Sequence, residues 1–266
     1  MTSNSNVLTF SVDKQQVAKS FSKAADNYDN HAHFQCDVGH ELLKRVPDDL
    51  TGRCVLDLGC GTGYFSSELK SRGAQVICVD LSSHMLTKAQ ERCGNNQMSY
   101  HLADAELLPF ADKSIDYVFS NLALQWCDDL AIPLKEMNRI LRKGGKGFFS
   151  TLVDGSLNEL KIAWSTVDSY QHINHFLSAN QVKIALAQSG NFDTTLNFQA
   201  MTVWYNTAVS LMKDLKGIGA NHVPGRITAA FNKQVLARLE ESYQEFKNDD
   251  GVLPATYQVC LGVILR

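Results

Sequence analysis

The spacing of hydrophobic residues changes along the chain, and each change predicts a different kind of element. Residues 13–46 carry two apolar stripes at helical spacing, and Pro47 ends this pattern. From residue 53 onward, short apolar runs alternate with amphipathic segments. The runs predict strands at 54–58, 75–80, 98–102, 115–119 and 146–152. Because strands separated by helices are joined by right-handed crossovers, the pattern predicts an α/β fold with a doubly wound parallel sheet.

The ends of two of the intervening helices are marked by residues typical of helix caps. Ser82 is suited to begin a helix, and a later helix is expected to end at Gly144-Gly145. After residue 152 the alternation loosens. Helices are predicted at 157–168, 179–188, 207–216 and 231–246, and strands at 199–204 and 257–265. Since no Pro/Ser-rich linker divides the chain, we expect the later half to add a helical cover to the same sheet.

Composition narrows the class of protein. The chain has 266 residues, 44% of them hydrophobic, and a formal net charge of −3. This hydrophobic share is typical of a globular protein and excludes a disordered or low-complexity chain. The negative charge disfavours nonspecific nucleic-acid binding, although it leaves room for local basic patches.

Membrane insertion and export are not expected. No apolar run approaches the ~20 residues of a membrane span, and residues 1–10 lack the charged start and apolar run of a secretory signal. The seven cysteines are odd in number and form no Cys-x-x-Cys pair. We therefore interpret them as small buried side chains in a reducing cytoplasm, and expect neither disulfides nor a metal site.

A glycine-rich loop is the most informative segment. It reads Val55-Leu56-Asp57-Leu58-Gly59-Cys60-Gly61-Thr62-Gly63, with a predicted strand before it and a predicted helix after it. Glycine allows tight backbone angles and lets a ligand approach the main chain closely. The Gly-x-Gly-x-Gly spacing departs from the Gly-x-Gly-x-x-Gly of dinucleotide-binding folds. On its own the loop is a weak signal.

Acidic residues follow three successive predicted strands. Asp57 could orient the loop or meet a cationic amino group, Asp80 could accept the two hydroxyls of a ribose, and Asp104 could face a purine edge. An acidic residue at any one of these positions is more often a cap or a solvated turn residue. Together they fall on one sheet edge, where open α/β sheets bind ligands.

These segments resemble the seven-stranded S-adenosylmethionine-dependent methyltransferases. The match consists of the glycine loop, the ribose motif Val79-Asp80-Leu81-Ser82, the adenine motif Ala103-Asp104-Ala105 and the segment 114–118 followed by Asn121. The resemblance implies a Rossmann-like, mostly parallel seven-stranded sheet. It also implies the following cofactor-binding residues: Tyr28, Asp57, Gly59, Cys60, Gly61, Gly63, Asp80, Leu81, Met85, Asp104, Ala105 and Asn121.

The resemblance further implies a single methyltransferase domain over 1–266. Its cofactor-binding core would span 53–152, its helical cover segments 153–178 and 206–232, and its final strand 257–265.

Further segments are similar to the malonyl-acyl-carrier-protein O-methyltransferases of biotin synthesis. They lie at 21–35, 120–127, 151–160, 215–222 and 253–264, and so extend over nearly the whole chain. This resemblance implies transfer of a methyl group to the free carboxylate of a malonyl thioester, giving the ester that primes pimeloyl synthesis. Two alternatives remain open, namely methylation of a free small acid or quinone precursor, and cofactor binding without catalysis.

Five residues are candidates for the catalytic site. Tyr28 and His31 lie three apart in a predicted helix and could face one site, or could be a core tyrosine and a surface histidine. Trp126 could form a pocket wall or belong to the core. Asn221 follows a Gly-x-Gly break, and Arg226 could hold the malonyl carboxylate bidentately. A malonyl carboxylate is ionised at neutral pH, so no general base is required and catalysis rests on alignment and exclusion of water.

An acidic acyl carrier protein as partner implies a basic docking surface. Two clusters are candidates: Arg139, Arg142, Lys143 and Lys146, and Lys213, Lys216 and Arg226. Either cluster could instead be an ordinary solvated surface that compensates a helix dipole. Malonyl-coenzyme A is an alternative source of the malonyl group.

Overall fold

The computed structural model describes residues 14–190, 193–220 and 233–266. The described residues form one seven-stranded sheet in the order β3-β2-β1-β4-β5-β7-β6. Its strands are β1 (Cys54–Leu58), β2 (Gln75–Asp80), β3 (Met98–Leu102), β4 (Ile115–Ser120), β5 (Leu141–Val153), β6 (Asp193–Tyr205) and β7 (Leu253–Leu265). The first five are parallel, and β7 lies antiparallel between β5 and β6. The predicted fold class is confirmed.

Helices cover both faces of this sheet. They are α1 (Lys14–Ala24), α2 (His33–Leu43), α3 (Tyr64–Ser71), α4 (Ser83–Cys93), α5 (Ala131–Ile140), α6 (Asn158–Val167), α7 (Ala179–Ser189), α8 (Ala208–Gly217) and α9 (Lys233–Tyr243). Side chains alternate between the faces along a strand, so Val55 joins the core beneath α2 and α3 while Leu56 joins the core beneath α5 and α7. Among the described residues, no helix is both long enough and apolar enough to cross a membrane.

The N-terminal prediction of continuous helix over 13–46 was wrong in its middle. Helices α1 and α2 are separated by turns and by one short 3-10 helix, Tyr28–Asn30. Polar residues that favour turns, Asn27, Asp29 and Asn30, occupy this break. As a result Tyr28 and His31 do not share one helical face.

The starts of three strands also differ from the predictions. Strand β6 begins at Asp193, six residues before the predicted 199. Helix α5 ends at Ile140 rather than at Gly144-Gly145, and β5 begins at once. Ile115 pairs with Leu141 and Tyr117 with Lys146, so β5 bulges between these pairs. Gly144 has a φ of +79° there, and a Cβ on Gly145 would lie 2.7 Å from the Asp116 carbonyl oxygen. The glycines therefore form a bulge inside a strand instead of ending a helix.

The final strand begins at Leu253, four residues before the predicted start at Tyr257. Pro254 pairs with Trp204 of β6, whereas the pairing of β7 with β5 begins only at Gln258. The missing N–H of Pro254 thus lies where β7 has one neighbour, a position in which a strand tolerates proline.

Candidate functional site

A cavity lies at the carboxyl edge of the parallel strands, and we call it the edge cavity. Leu58 of β1, Asp80 of β2, Ala103 after β3 and Asn121 after β4 line it, and α1 closes it from outside. The hydroxyl oxygens of Ser22 on α1 and Ser82 at the N-cap of α4 are 2.8 Å apart. The sequence thus correctly placed a cavity at this edge, although it did not show that α1 would cover it.

The glycine loop forms the floor of the edge cavity. The backbone N–H groups of Gly59 and Cys60 donate to the Val79 carbonyl at 2.8 and 3.0 Å, which folds the loop back over β2. A Cβ on Gly59 would lie 2.3 Å from the Ala123 Cβ, so no side chain fits there. Gly61 has a φ of +54°, and the space beside it is open. Its backbone is therefore accessible to a ligand.

Asp80 organises the loop through both carboxylate oxygens. Its Oδ2 accepts the Gly61 N–H at 2.9 Å and its Oδ1 accepts the Ser82 N–H at 2.8 Å. Burial raises the pKa of the Asp80 carboxyl to about 6. A carboxylate has about four acceptor positions, so Asp80, which lines the cavity, keeps capacity for a ligand hydroxyl beside its backbone partners.

The far end of the edge cavity combines a carboxylate with apolar walls. Asp104 and Ala105 line it together with Leu81 and Met85. Lys14 on α1 donates to Asp104 Oδ2 at 2.6 Å and also pairs with Glu106. This end is suited to a flat, mostly apolar ring with a polar edge.

Asp57 is buried beneath the glycine loop. Its Oδ2 accepts the Ser66 hydroxyl at 2.5 Å, and burial raises its pKa to about 7. It lines a small side cavity next to the edge cavity, as does Cys60, and the two cavities share Tyr28, Gly59, Gly61 and Asn121. The bond to Ser66 agrees with the first of its two predicted roles, orientation of the loop.

The structure does not place Gly63, a predicted cofactor-binding residue, at the edge cavity. It is the N-cap of α3, with a φ of +80°, and a Cβ there would lie 2.9 Å from the Ala89 Cα. It lines neither the edge cavity nor the side cavity. Its role is to let α3 and α4 approach each other closely.

A second cavity adjoins the first under the later half of the chain, and we call it the cover cavity. Leu157 before α6, Ile173 of the loop after α6, Leu215 and Ile218 at α8, and Tyr257 of β7 line it. Phe21, Tyr28, Leu122 and Trp126 line both the edge cavity and the cover cavity. These four side chains mark the junction of the two cavities.

Tyr28 and Trp126 lie at this junction, where the sequence left open whether they were core residues. The indole of Trp126 packs edge-on against Phe21, with ring centroids 5.3 Å apart. Burial raises the pKa of the Tyr28 hydroxyl well above its usual value, so the phenol stays protonated at neutral pH. It can therefore donate a hydrogen bond at the junction.

Asn121 lines the edge cavity with its amide already engaged. Its Nδ2 donates to the Gln35 carbonyl at 2.9 Å, and its Oδ1 accepts the Ser150 hydroxyl at 2.7 Å. It thereby joins α2 and β5 to the segment after β4.

His31, predicted as a catalytic residue, contacts α8. Its Nδ1 is 2.7 Å from Asp214 Oδ1 on α8, and a Cβ on Gly217 would lie 2.2 Å from its ring. His31 lines none of the three cavities described above. The ring instead fastens the N-terminal turn to α8. The other two catalytic candidates, Asn221 and Arg226, lie outside the described residues.

Sequence reasoning missed the polar side chains of the cover cavity. Gln35, Gln125, His172 and Asn174 line it and come from three separate segments. These segments are far apart in the sequence, so no short-range spacing pattern connects the four residues. Lys14, which lines the edge cavity, was also missed. The apolar stripe of this segment predicted a helix, but not that the helix would lie over the edge of the sheet.

The two basic clusters differ in their position relative to the cavities. Arg139 pairs with Glu136 and Asp112, and Arg142 pairs with Asp116, at the start of β5 and so at the sheet edge opposite the cavities. The other cluster is described only at Lys213 and Lys216. Both are exposed on α8, and Leu215 between them lines the cover cavity.

Comparison with known proteins agrees with this arrangement. A family model for a methyltransferase domain matches residues 56–149. The chain is 40% identical over 256 residues to the malonyl-[acyl-carrier protein] O-methyltransferase of Yersinia pestis, covering 96% of this chain and 92% of that protein. It is 41% identical over 261 residues to the enzyme of the same name from Salmonella typhimurium, covering 96% and 98% of the two chains.

Among solved structures, the YcgJ protein of Bacillus subtilis superposes with a TM-score of 0.61 at 19% identity. The match covers 87% of this chain and 98% of that one, and supports the fold alone. With two-fifths of its residues identical to those relatives over almost its full length, this chain belongs to the malonyl-[acyl-carrier protein] O-methyltransferase family.

Proposed function

We infer that this protein transfers a methyl group from S-adenosylmethionine to the free carboxylate of a malonyl group carried on acyl carrier protein. The observation that carries the inference is the identity of 40–41% to relatives of that name over 96% of the chain. The ester product would prime pimeloyl synthesis.

The edge cavity fits the cofactor residue by residue. Asp80 offers carboxylate oxygens to the ribose hydroxyls, and Leu81 and Met85 provide apolar walls for an adenine beside Asp104. The open side of Gly61 lets the amino-acid end of the ligand approach the backbone. When bound, S-adenosylmethionine supplies an electrophilic methyl group on a positively charged sulfur.

The chain's own part in the reaction is to position the acceptor and exclude water. A malonyl carboxylate is a nucleophile at neutral pH without a base. We place it at the junction of the two cavities, where the Tyr28 hydroxyl can donate to it and Trp126 limits access of water. A dry, preorganised junction strengthens attraction between the carboxylate and the charged sulfur, and aligns the reacting atoms.

The later half of the chain would serve as the substrate cover. Helices α6 and α8 lie in the segments 153–178 and 206–232, and the sheet returns to β7 after them. This supports one methyltransferase unit over the whole chain rather than two independent ones. Lys213 and Lys216 beside the cover cavity are our candidates for carrier docking.

Transfer of labelled methyl from S-adenosylmethionine tests the proposal. Malonyl-acyl carrier protein, malonyl-coenzyme A and free malonate would be compared as acceptors, and we expect base-labile label on the carrier above all. Label on free acids alone would favour the small-acid alternative. Cofactor binding without any label would favour the binding-only alternative.

A further inference from the structure

Unpartnered polar atoms are concentrated at the cover cavity. Four side chains that line it each hold a buried atom without a hydrogen-bond partner in the described part of the chain: Gln35 Oε1, Gln125 Oε1, Asn174 Oδ1 and His172 Nδ1. A buried polar group left unpaired costs free energy, so such groups are rare in folded proteins unless a ligand satisfies them. Their convergence indicates a polar ligand within a mostly apolar cavity.

One ring nitrogen of His172 forms a hydrogen bond, and the other has no partner among the described residues. Its Nε2 lies 2.8 Å from Asp168 Oδ1, and because an ionised carboxylate only accepts, Nε2 must carry the proton. The imidazole stacks on Trp164 with ring centroids 3.6 Å apart and an interplanar angle of 10°. The side chain is only 5% exposed. The ring is therefore fixed, and Nδ1 is the nitrogen without a partner.

The titratable groups around His172 differ between its two sides. On the cover-cavity side the titratable lining groups are the phenols of Tyr28 and Tyr257, which burial keeps protonated. Asp168 contacts the ring directly. On the outer side, the loop 168–176 borders a surface groove whose other charged or titratable groups are Asp154, Lys161, Tyr170 and His175. Among the described residues that line the cover cavity, none is a lysine or an arginine.

We propose that His172, which lines the cover cavity together with Tyr28, binds the malonyl carboxylate through Nδ1 and takes up a proton when it does so. A carboxylate entering the cavity favours the charged imidazolium, which then donates from Nδ1 while Nε2 stays on Asp168. The proposal rests on the function inferred above and adds the residue that recognises the acid.

The same contact explains how substrate and product are distinguished. One carboxylate oxygen forms a bond to the methyl carbon as the carbon–sulfur bond breaks, and the other oxygen keeps the hydrogen bond to His172. The ester carries no charge, so it no longer stabilises the imidazolium, and the Nδ1 proton returns to solvent. The residue thus binds the acid and releases the ester.

Calorimetry of malonyl-carrier binding to the protein loaded with S-adenosylhomocysteine tests this without turnover. Titrations at pH 7.5 in buffers of different ionisation enthalpy measure the protons exchanged, and we expect net proton uptake on binding. Acetyl-carrier protein, which lacks the carboxylate, should bind without uptake. Equal proton exchange with both carriers would overturn the proposal.

Paired variants assign the effect to Nδ1. His172→Gln keeps an amide near the Nε2 position for Asp168 but lacks Nδ1, and we expect it to abolish proton uptake and weaken malonyl-carrier binding about tenfold. His175→Gln changes an exposed residue of the same loop and should change neither.

Affinity for S-adenosylhomocysteine and the melting temperature report whether each variant is folded. Unchanged proton uptake in a folded His172→Gln variant would contradict the proposal. Methylation by the unmodified protein tests the inferred function separately.

Discussion

The Asp29 carboxylate accepts a hydrogen bond from the Thr62 hydroxyl at 2.7 Å, which ties the turn that carries Tyr28 to the glycine loop. Arg92 on α4 completes the contact, since it donates to the Thr62 hydroxyl and carbonyl at 3.0 Å each and pairs with Asp29. Three segments distant in sequence are thereby held around the edge cavity. The position of Tyr28 depends on this link as well as on packing.

Removal of the Asp29 carboxylate should weaken cofactor binding modestly. Asp29 is 48% exposed, so solvent screens its ion pair and we expect Asp29→Ala to lower affinity for S-adenosylhomocysteine about threefold. Asp26→Ala is the matched control, because Asp26 pairs with Lys88 on the same α4 but does not contact the loop. Calorimetry of both variants checks this, and equal losses would contradict a specific role for Asp29.

Asp80 should control cofactor affinity in a pH-dependent way. Asp80→Ala removes both acceptors for the ribose and the anchor of the glycine loop, and we expect a loss of about 2–4 kcal/mol in binding. The pKa of the wild-type carboxyl is raised to about 6. Above that pH both oxygens accept hydrogen bonds, and below it a proton occupies one of them. Affinity of the wild type should therefore fall as pH decreases through 6, while that of the variant changes less. If the affinities of the wild type and of Asp80→Ala changed equally with pH, this role of Asp80 would be contradicted.

The sequence was most informative where local chemistry determines structure. Strands β1, β2 and β3 match their predicted bounds, because each is a short run with turn residues on both sides. A pocket under the later half of the chain was expected, but its polar lining could not be foreseen, since Gln35, His172 and Asn174 meet only through tertiary packing. The shared helical face of Tyr28 and His31 was predicted wrongly for a related reason: helical spacing placed the two residues side by side, whereas a turn directs His31 to α8.

Asp57 should make stability depend on pH. Its pKa is raised to about 7 in the folded protein from 3.8, so the folded state holds a proton that the unfolded chain has already lost. The contribution of this proton to the free energy of unfolding is fully present below pH 3.8 and is lost as pH rises through 7. The change is on the order of 4 kcal/mol. We expect the free energy of unfolding of the wild type, relative to Asp57→Asn, to fall by about 1 kcal/mol per pH unit from 4 to 7. Denaturant titrations measure this, and a constant difference would show that Asp57 is ionised throughout.

Tyr28→Phe should lower turnover without lowering stability. The phenol lies at the junction of the edge and cover cavities, where its hydroxyl can position the acceptor, and phenylalanine keeps its packing. We expect kcat to fall about tenfold with the melting temperature nearly unchanged. Tyr243→Phe provides the contrast, because that hydroxyl donates to the Pro254 carbonyl at 2.8 Å and should affect stability alone. A lower melting temperature with unchanged kcat in Tyr28→Phe would identify Tyr28 as a packing residue.

Carrier docking should depend on the basic residues of α8. An acidic carrier bound beside the cover cavity would meet Lys213 and Lys216, so Lys213→Glu/Lys216→Glu should raise KM for malonyl-carrier protein about tenfold at low salt. KM for malonyl-coenzyme A should change less, because it lacks the carrier's acidic surface. Lys135→Glu/Lys143→Glu produces the same change in net charge at exposed positions on α5 and at the start of β5. If both double variants raise KM equally, the effect is one of overall charge; if only the second does, docking lies at the opposite edge of the sheet.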